Sequence, residues 1–463
     1  MSSKSRLGQN TIILSLCTLL NKGLLFVMIP FFTRWLSVEE YGTYDVFSTY
    51  VSFLIPIVSL ASSNAIFRLT IDSDKGTAKD YITNGLYINL INFIIVVVFI
   101  SIFFSKVKVD YFFSFIILLL SEIIDNYLQG YLRALKRLNL YGICRTATAV
   151  FTAISVTILV RFLHKGLNGL IIGYSLGFYT SSVLIVIITR FWRYFDIKRF
   201  SIERVKELLA YSWALIPNDV SWWIINVSDR QIINMFIGSN ANGVYAVACK
   251  IPSLCSSVFG VFNISWQESA TECLNIENKY IYFRSVYNKL VTTLLTVCIG
   301  VLSCNFIFFN YIFDSRYSNA RLYTSILVAS VIFSTIALFY GGIQISLKKP
   351  KENGCSTIVG AIINLVSHLA LVHFIGLYAA AVSTLISNIV VMSIRKYQIK
   401  REFTFNINMK QILLCIIFVY YSVISAQPLS GIMGSIHILI AVFIFSVVNF
   451  KYLKRFINNF KKK

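Results

Sequence analysis

ITNGLYINLINFIIVVVFISIFF, Ile82 to Phe104, runs on without a charged side chain. An α-helix rises 1.5 Å per residue, so about twenty apolar residues cross the roughly 30 Å hydrocarbon layer of a bilayer. This stretch is therefore a predicted membrane span. Working outward from it in both directions, about fourteen such stretches follow one another, at roughly residues 11–34, 44–66, 82–104, 111–132, 144–162, 167–189, 208–228, 243–265, 288–312, 322–345, 355–374, 377–394, 411–427 and 431–450. A chain that is 57% hydrophobic and only 13% charged is a polytopic all-α membrane protein, because soluble domains carry about a quarter charged residues.

The basic residues fix the orientation. Of the 42 lysines and arginines, 32 fall in alternate gaps and at the two termini, while the opposite gaps hold only Arg34, Lys106, Lys108, Arg161, Lys165, Arg230, Arg316 and Arg321. Lys22 and Lys250 lie within spans. Cytoplasmic loops carry the excess of positive charge, so both termini are expected in the cytoplasm. The net charge of +22 belongs to short loops and to a basic tail, Lys451 to Lys463, that faces anionic headgroups; a nucleic-acid partner is not needed to explain it. The N-terminal apolar run is too long for a signal peptide and lacks a small-residue cleavage site, so it is expected to remain as the first helix. Nine scattered cysteines without a C-x-x-C pair, and only four histidines, predict free buried thiols, with no disulfide framework, no metal site and no cofactor.

Two halves are visible. LSVEEYGTY (Leu36 to Tyr44) aligns with IGSNANGVY (Ile237 to Tyr245), placing Gly42 on Gly243 and Tyr44 on Tyr245. GLNG (Gly166 to Gly169) aligns in the same order with GLYA (Gly376 to Ala379). The segment Arg190 to Lys206 separates the copies, giving a first six-helix half over residues 1–200, a second over 201–400, and an appended helix pair with the basic tail over 401–463. An even number of spans per copy makes the repeats parallel, the arrangement of alternating-access transporters with a cavity between halves. Outer loops are short, which leaves little material for a catalytic domain and weighs against an enzyme.

Three runs carry a family resemblance: NKGLLFVMIPFFTRWLSVEEYG (Asn21 to Gly42), SWALIPNDVSWWIINVSDRQIINMFIGSNANGVYAVACKI (Ser212 to Ile251) and GLYAAAVSTLIS (Gly376 to Ser387). They resemble the polysaccharide flippases of the multidrug/oligosaccharidyl-lipid/polysaccharide exporter superfamily. In the second run the resemblance rests on a proline-bearing helix ending in Asp-Arg, followed by a small loop with Gly and Tyr: Pro217, Asp229, Arg230, Gly243 and Tyr245. It implies a transporter that flips an undecaprenyl-diphosphate-linked oligosaccharide repeat unit of O-antigen or capsule across a bacterial inner membrane. It also implies a polysaccharide polymerase and a chain-length regulator as partners.

Charges at bilayer depth are the candidate site, since each costs several kcal/mol unless it faces water or a partner. Lys22 in the first helix and Lys250 in the eighth would make a cationic cavity for a diphosphate headgroup, with Arg34 and Arg68 at helix ends as further anchors. Alternatively Lys22 pairs internally, for instance with Asp219. Glu122 and Asp125, at i and i+3, share one helix face; they form either a proton or sodium site or ion pairs across the bundle. Asp229 and Arg230 match the family motif, with a locking pair or cap as the simpler reading. Asn364 is expected to hydrogen-bond between helices, and Pro30, Pro217 and Pro252 to kink theirs. Two other readings compete. A drug or metabolite exporter of the same fold would want an acidic, aromatic cavity. A membrane-embedded polymerase or glycosyltransferase would need a substantial catalytic loop.

Overall fold

The computed structural model describes residues 3–71, 73–104, 111–213, 216–274, 277–347 and 349–460. Lys106, Lys108 and the last three lysines of the tail lie outside the described residues. Among those described, every regular element is helical. The α-helices are α1 (Ser3–Trp35), α2 (Val38–Ser59), α3 (Ser62–Ile71), α4 (Lys75–Phe104), α5 (Phe112–Ala134), α6 (Leu138–Val156), α7 (Gly166–Thr189), α8 (Ile202–Ser212), α9 (Ile216–Val227), α10 (Asp229–Phe236), α11 (Ser239–Ala248), α12 (Lys250–Cys273), α13 (Lys279–Ile307), α14 (Ala320–Ser346), α15 (Pro350–Ile375), α16 (Tyr378–Ile399), α17 (Met409–Ser425) and α18 (Gly431–Phe460). Nine described helices are long and apolar enough to cross a membrane, or eleven if each of two bent pairs is one span.

The bends explain part of the distance from fourteen uniform spans. α2 and α3 meet at 48°, where Leu60 and Ala61 both adopt left-handed φ values of 46° and 50°, a conformation side chains with a Cβ rarely accept. α11 and α12 meet at 42°, with Lys250 and Pro252 in the first turn of α12, where a proline costs no helical hydrogen bond. Pro30 lies inside the continuous α1. The predicted span 208–228 is instead the end of α8, then α9, and the chain turns helical again at Asp229. The span 411–427 appears as the shorter apolar helix α17.

The chain divides into two compact units, Met1–Gln231 and Ile232–Lys463. In the first, α6 packs between α1 and α7, α5 packs on α7, and α3 fits among α4, α5 and α8. Close approach of α6 and α7 depends on Gly177, where a Cβ would collide with the Thr152 hydroxyl; small residues are the usual device for tight helix contact in a bilayer. α9 joins this unit through Trp223, whose Nε1 donates to the Thr49 carbonyl at 3.0 Å and to Ser52 Oγ at 3.1 Å. In the second unit α14 packs on α12 and α16, α15 on α16, and α13 on α14, α17 and α18. Its core holds Trp266 stacked on Phe339 with centroids 4.4 Å apart, and Phe403 and Phe405 of the α16–α17 connection close over Phe283 and Tyr287.

The two sequence anchors recur as local structure within each unit. Gly42 and Gly243 are buried and each is the fifth residue of its helix, α2 and α11. Gly166 and Gly376 both have positive φ, 51° and 53°, at the turns leading into α7 and α16.

Candidate functional site

In the first unit, an intramembrane charge cluster grows from α5. Asp125 is buried, and its Oδ2 lies 3.8 Å from Arg145 Nη1 on α6. Gln129, one turn along, donates to Asp125 Oδ1 at 3.3 Å. Glu122, on the same face of α5, lies in the electrostatic field of both Arg145 and Asp125, and the Tyr44 hydroxyl of α2 also interacts electrostatically with Glu122. One guanidinium thus faces a group of two buried carboxyls in low dielectric. Such a group can hold a proton or a small cation, and it binds its arginine tightly in the absence of either.

α1 is registered against this cluster by Asn21, whose Nδ2 donates to the Arg145 carbonyl at 2.7 Å, and by Gly142, where a Cβ would strike the Cys17 sulfur. Lys22 follows Asn21 directly and is exposed on the surface of the first unit. It therefore stands at the level of the α5–α6 charges. Arg34, in the last turn of α1, and Arg68, in the last turn of α3, are also exposed, and both complement the negative helix end they occupy.

A second ion pair fixes α2 to α10. Arg230 Nε lies 2.7 Å from Asp45 Oδ2, with side chains only 15% and 8% exposed. Gln231 Nε2 adds a bond to the Val46 carbonyl at 3.3 Å and a short one to Thr49 Oγ1. Asp229 is buried and opens α10, where a carboxylate suits the positive end of the helix. The motif residues Asp229 and Arg230 thus sit in a helix start and a buried pair. Asp219 is half-buried in the first turn of α9.

In the second unit Lys250 is half-buried at the bend that begins α12. Asn364 donates to Thr384 Oγ1 at 3.4 Å, joining α15 to α16. Among the described residues the most buried cation there is Arg395, 3% exposed. Its Nε donates to Ser356 Oγ at 2.9 Å, Nη1 to the Ala337 carbonyl at 3.0 Å, and Nη2 to Asn353 Oδ1 at 2.7 Å and Thr357 Oγ1 at 2.9 Å. These neutral acceptors tie α14, α15 and α16 together around one charge. Among the described residues no group of three or more His, Cys, Asp or Glu could hold a metal ion.

Sequence reasoning missed Asp45, Arg145 and Arg395, because each falls at the margin of a predicted span, where a charge reads as an anchor. A usable signal existed for Arg145. A span containing two carboxylates a turn apart calls for a cation at the same depth on a neighbour.

Known proteins share this architecture. The family model described as Polysaccharide biosynthesis protein matches residues 7–266. The chain is 21% identical over 397 residues to the probable low-salt glycan biosynthesis flippase Agl15 of Haloferax volcanii, covering 82% of this chain and 81% of that protein. Among solved structures, the lipid II flippase MurJ in an inward closed conformation aligns with a TM-score of 0.72 at 16% identity, over 96% of this chain and all of that one. An inward-facing multidrug resistance MATE family transporter of the MOP superfamily aligns with a TM-score of 0.63 at 15% identity, over 87% and 95% of the two chains.

Proposed function

Because the chain belongs to the polysaccharide biosynthesis protein family, with more than half its length matched, we propose that it is a transporter that flips a lipid-linked oligosaccharide from the inner to the outer leaflet. The observation that carries this reading is the intramembrane set on α1, α5 and α6. An exposed lysine, Lys22, stands at the depth of a carboxyl pair held by Arg145. A diphosphate headgroup crossing the bilayer loses hydration and needs a cation at mid-depth to offset that loss. The carboxyls supply the opposite requirement, a place for a proton or sodium ion whose binding changes the charge around the lysine. The cargo is an undecaprenyl-diphosphate-linked repeat unit of O-antigen or capsule, moved by alternating access in a bacterial plasma membrane. Lys250, Arg34 and Arg68 add cations along the route, and a polymerase with its chain-length regulator receives the product.

The fourteen-span, duplicated topology with both termini cytoplasmic accompanies this reading. Its support is the matched placing of Gly42 with Gly243 and of Gly166 with Gly376, together with the charge bias between gaps.

One observation favours a second reading. Two buried carboxyls facing one arginine make an acidic pair that, once ionised, suits an organic cation, so a drug exporter of the same fold would use Glu122 and Asp125 as its site. Depleting the protein from cells separates the two. Lipid-linked oligosaccharide should accumulate in the inner leaflet, protected from an added glycosidase in spheroplasts. Unchanged lipid exposure with raised sensitivity to cationic drugs would reject the flippase.

A further inference from the structure

α13 enters the second unit with Tyr280, Arg284 and Lys289 on its first turns. The α16–α17 connection is pinned against it. Tyr280 Oη donates to the Thr404 carbonyl at 2.6 Å, Phe403 lies 4.8 Å from Phe283, and Gln411 Nε2 donates to the Asn288 carbonyl at 3.2 Å. Asn408 caps α17 by a reciprocal box with Gln411. These contacts hold open a pocket of about 450 Å³ lined by Arg284, Ser285, Asn288, Lys289, Asn408 and Lys410, among others. Every charged lining residue among those described is a cation.

Lys289 also lines a second pocket of about 390 Å³, between α13 and α12. Here the walls are Val258, Phe259, Phe262, Val286 and Leu290, and Val258 is half-exposed at the surface. A basic polar pocket therefore adjoins an apolar groove, with one lysine common to both. Their depth is set by Lys410, whose Nζ donates to the Val448 carbonyl at 3.1 Å, in the last turn of the apolar stretch Gly431–Phe450. That is the level of the headgroups.

We propose that α13 and the α16–α17 connection bind one anionic phospholipid of the surrounding bilayer, its phosphate among Arg284, Lys289 and Lys410 and an acyl chain in the groove between α12 and α13. Charge complementarity selects the headgroup and the adjoining groove selects a lipid over a free anion; basic pockets between membrane helices recognise anionic headgroups in this way. The site braces α13 against α12 and α17 whatever cargo the protein carries, so it stands apart from the transport reading.

The test uses the full-length protein in detergent, with thermal unfolding and native mass spectrometry read after adding phosphatidylglycerol, phosphatidylcholine or inorganic phosphate. Phosphatidylglycerol should raise the unfolding temperature and leave a one-lipid adduct. Arg284→Gln/Lys410→Gln should weaken that adduct at least tenfold while unfolding at the wild-type temperature in phosphatidylcholine. Val258→Trp, which fills the groove from its exposed rim, should weaken it without removing a charge, and so keeps the test alive should the double variant not fold. Full adduct retention in both variants would overturn the proposal. So would an equal effect of inorganic phosphate, which would leave an anion site alone, or of phosphatidylcholine, which would leave a general lipid surface. A polyprenyl phosphate that displaces phosphatidylglycerol at equal concentration would make this a cargo site and overturn the assignment.

Discussion

The Asp45–Arg230 pair gives the most quantitative test of the packing described above. The two groups are 2.7 Å apart with side chains 8% and 15% exposed, so neither is well hydrated. Two unit charges about 4 Å apart interact by about 4 kcal/mol at an effective dielectric of about 20. Removing one partner leaves a buried charge uncompensated, at a cost of about 3–5 kcal/mol. For a unit the size of Met1–Gln231, each kcal/mol is worth about 2–4 °C in the unfolding temperature. Asp45→Asn and Arg230→Gln should therefore each lower the transition by about 6–20 °C. The double variant replaces the ion pair with two amides that can bond each other, and its loss should fall short of the sum by about 2 kcal/mol, within the coupling range of contacting residues. Asp45→Arg/Arg230→Asp should restore part of the loss as well. The assay is thermal unfolding of purified protein in one detergent, followed by intrinsic tryptophan fluorescence. Strictly additive losses, or singles that unfold like the wild type, would refute the claim that these groups stabilise one another.

Lys22→Ala should cut transport at least tenfold with normal membrane abundance, and Lys22→Arg should be milder, as read by lipid flipping in vesicles; equal loss of protein and activity would mean a structural role. Asp125→Asn should shift the pH profile of transport and spare cargo binding, which a lipid-binding assay at matched pH can check. At Gly341 a Cβ would lie 2.7 Å from Arg395 Nη1 and 2.9 Å from Asn353 Nδ2, and the guanidinium is held by its acceptors, so Gly341→Ala should cost about 1–3 kcal/mol of stability; Arg395→Lys should not replace the fork of donors. On α8, the Tyr81 hydroxyl and the Arg204 guanidinium hold the Glu207 carboxyl below its ordinary 4.5. This contribution is therefore full above pH 4.5 and lost as pH falls through the lower folded value. Glu207→Gln should accordingly narrow the difference in unfolding temperature between neutral pH and pH below 4.

Long apolar runs made much of the fold legible. The quoted stretch Ile82 to Phe104 lies within α4, most of which is one of the spans, Gly76–Ile102. The break after α2 was not legible, because Leu60 and Ala61 are ordinary helix formers; their left-handed φ comes from how α3 packs on α4 and α5. Pro56, four residues earlier, lies inside α2 and gives no cue to the break position. The carboxylates Glu122 and Asp125 were visible as misplaced charges, whereas their cation was not. Arg145 stands second on the predicted span 144–162 and reads as a boundary residue until its contact with Asp125 of α5 is seen. Asp229 and Arg230 could be found by motif, but Asp45, the group that answers Arg230, is a single acid just inside a span with no partner at helical spacing.

The central claim, outward movement of a lipid-linked oligosaccharide, is tested most directly in proteoliposomes that hold this protein alone. An undecaprenyl-diphosphate-linked oligosaccharide is placed in one leaflet and its arrival in the other is read by lectin capture. Wild-type protein should transfer the lipid, and Lys22→Ala and empty vesicles should not. Correctly inserted protein that moves no sugar lipid from several sources, while moving organic cations, would contradict the account and leave the exporter reading in its place.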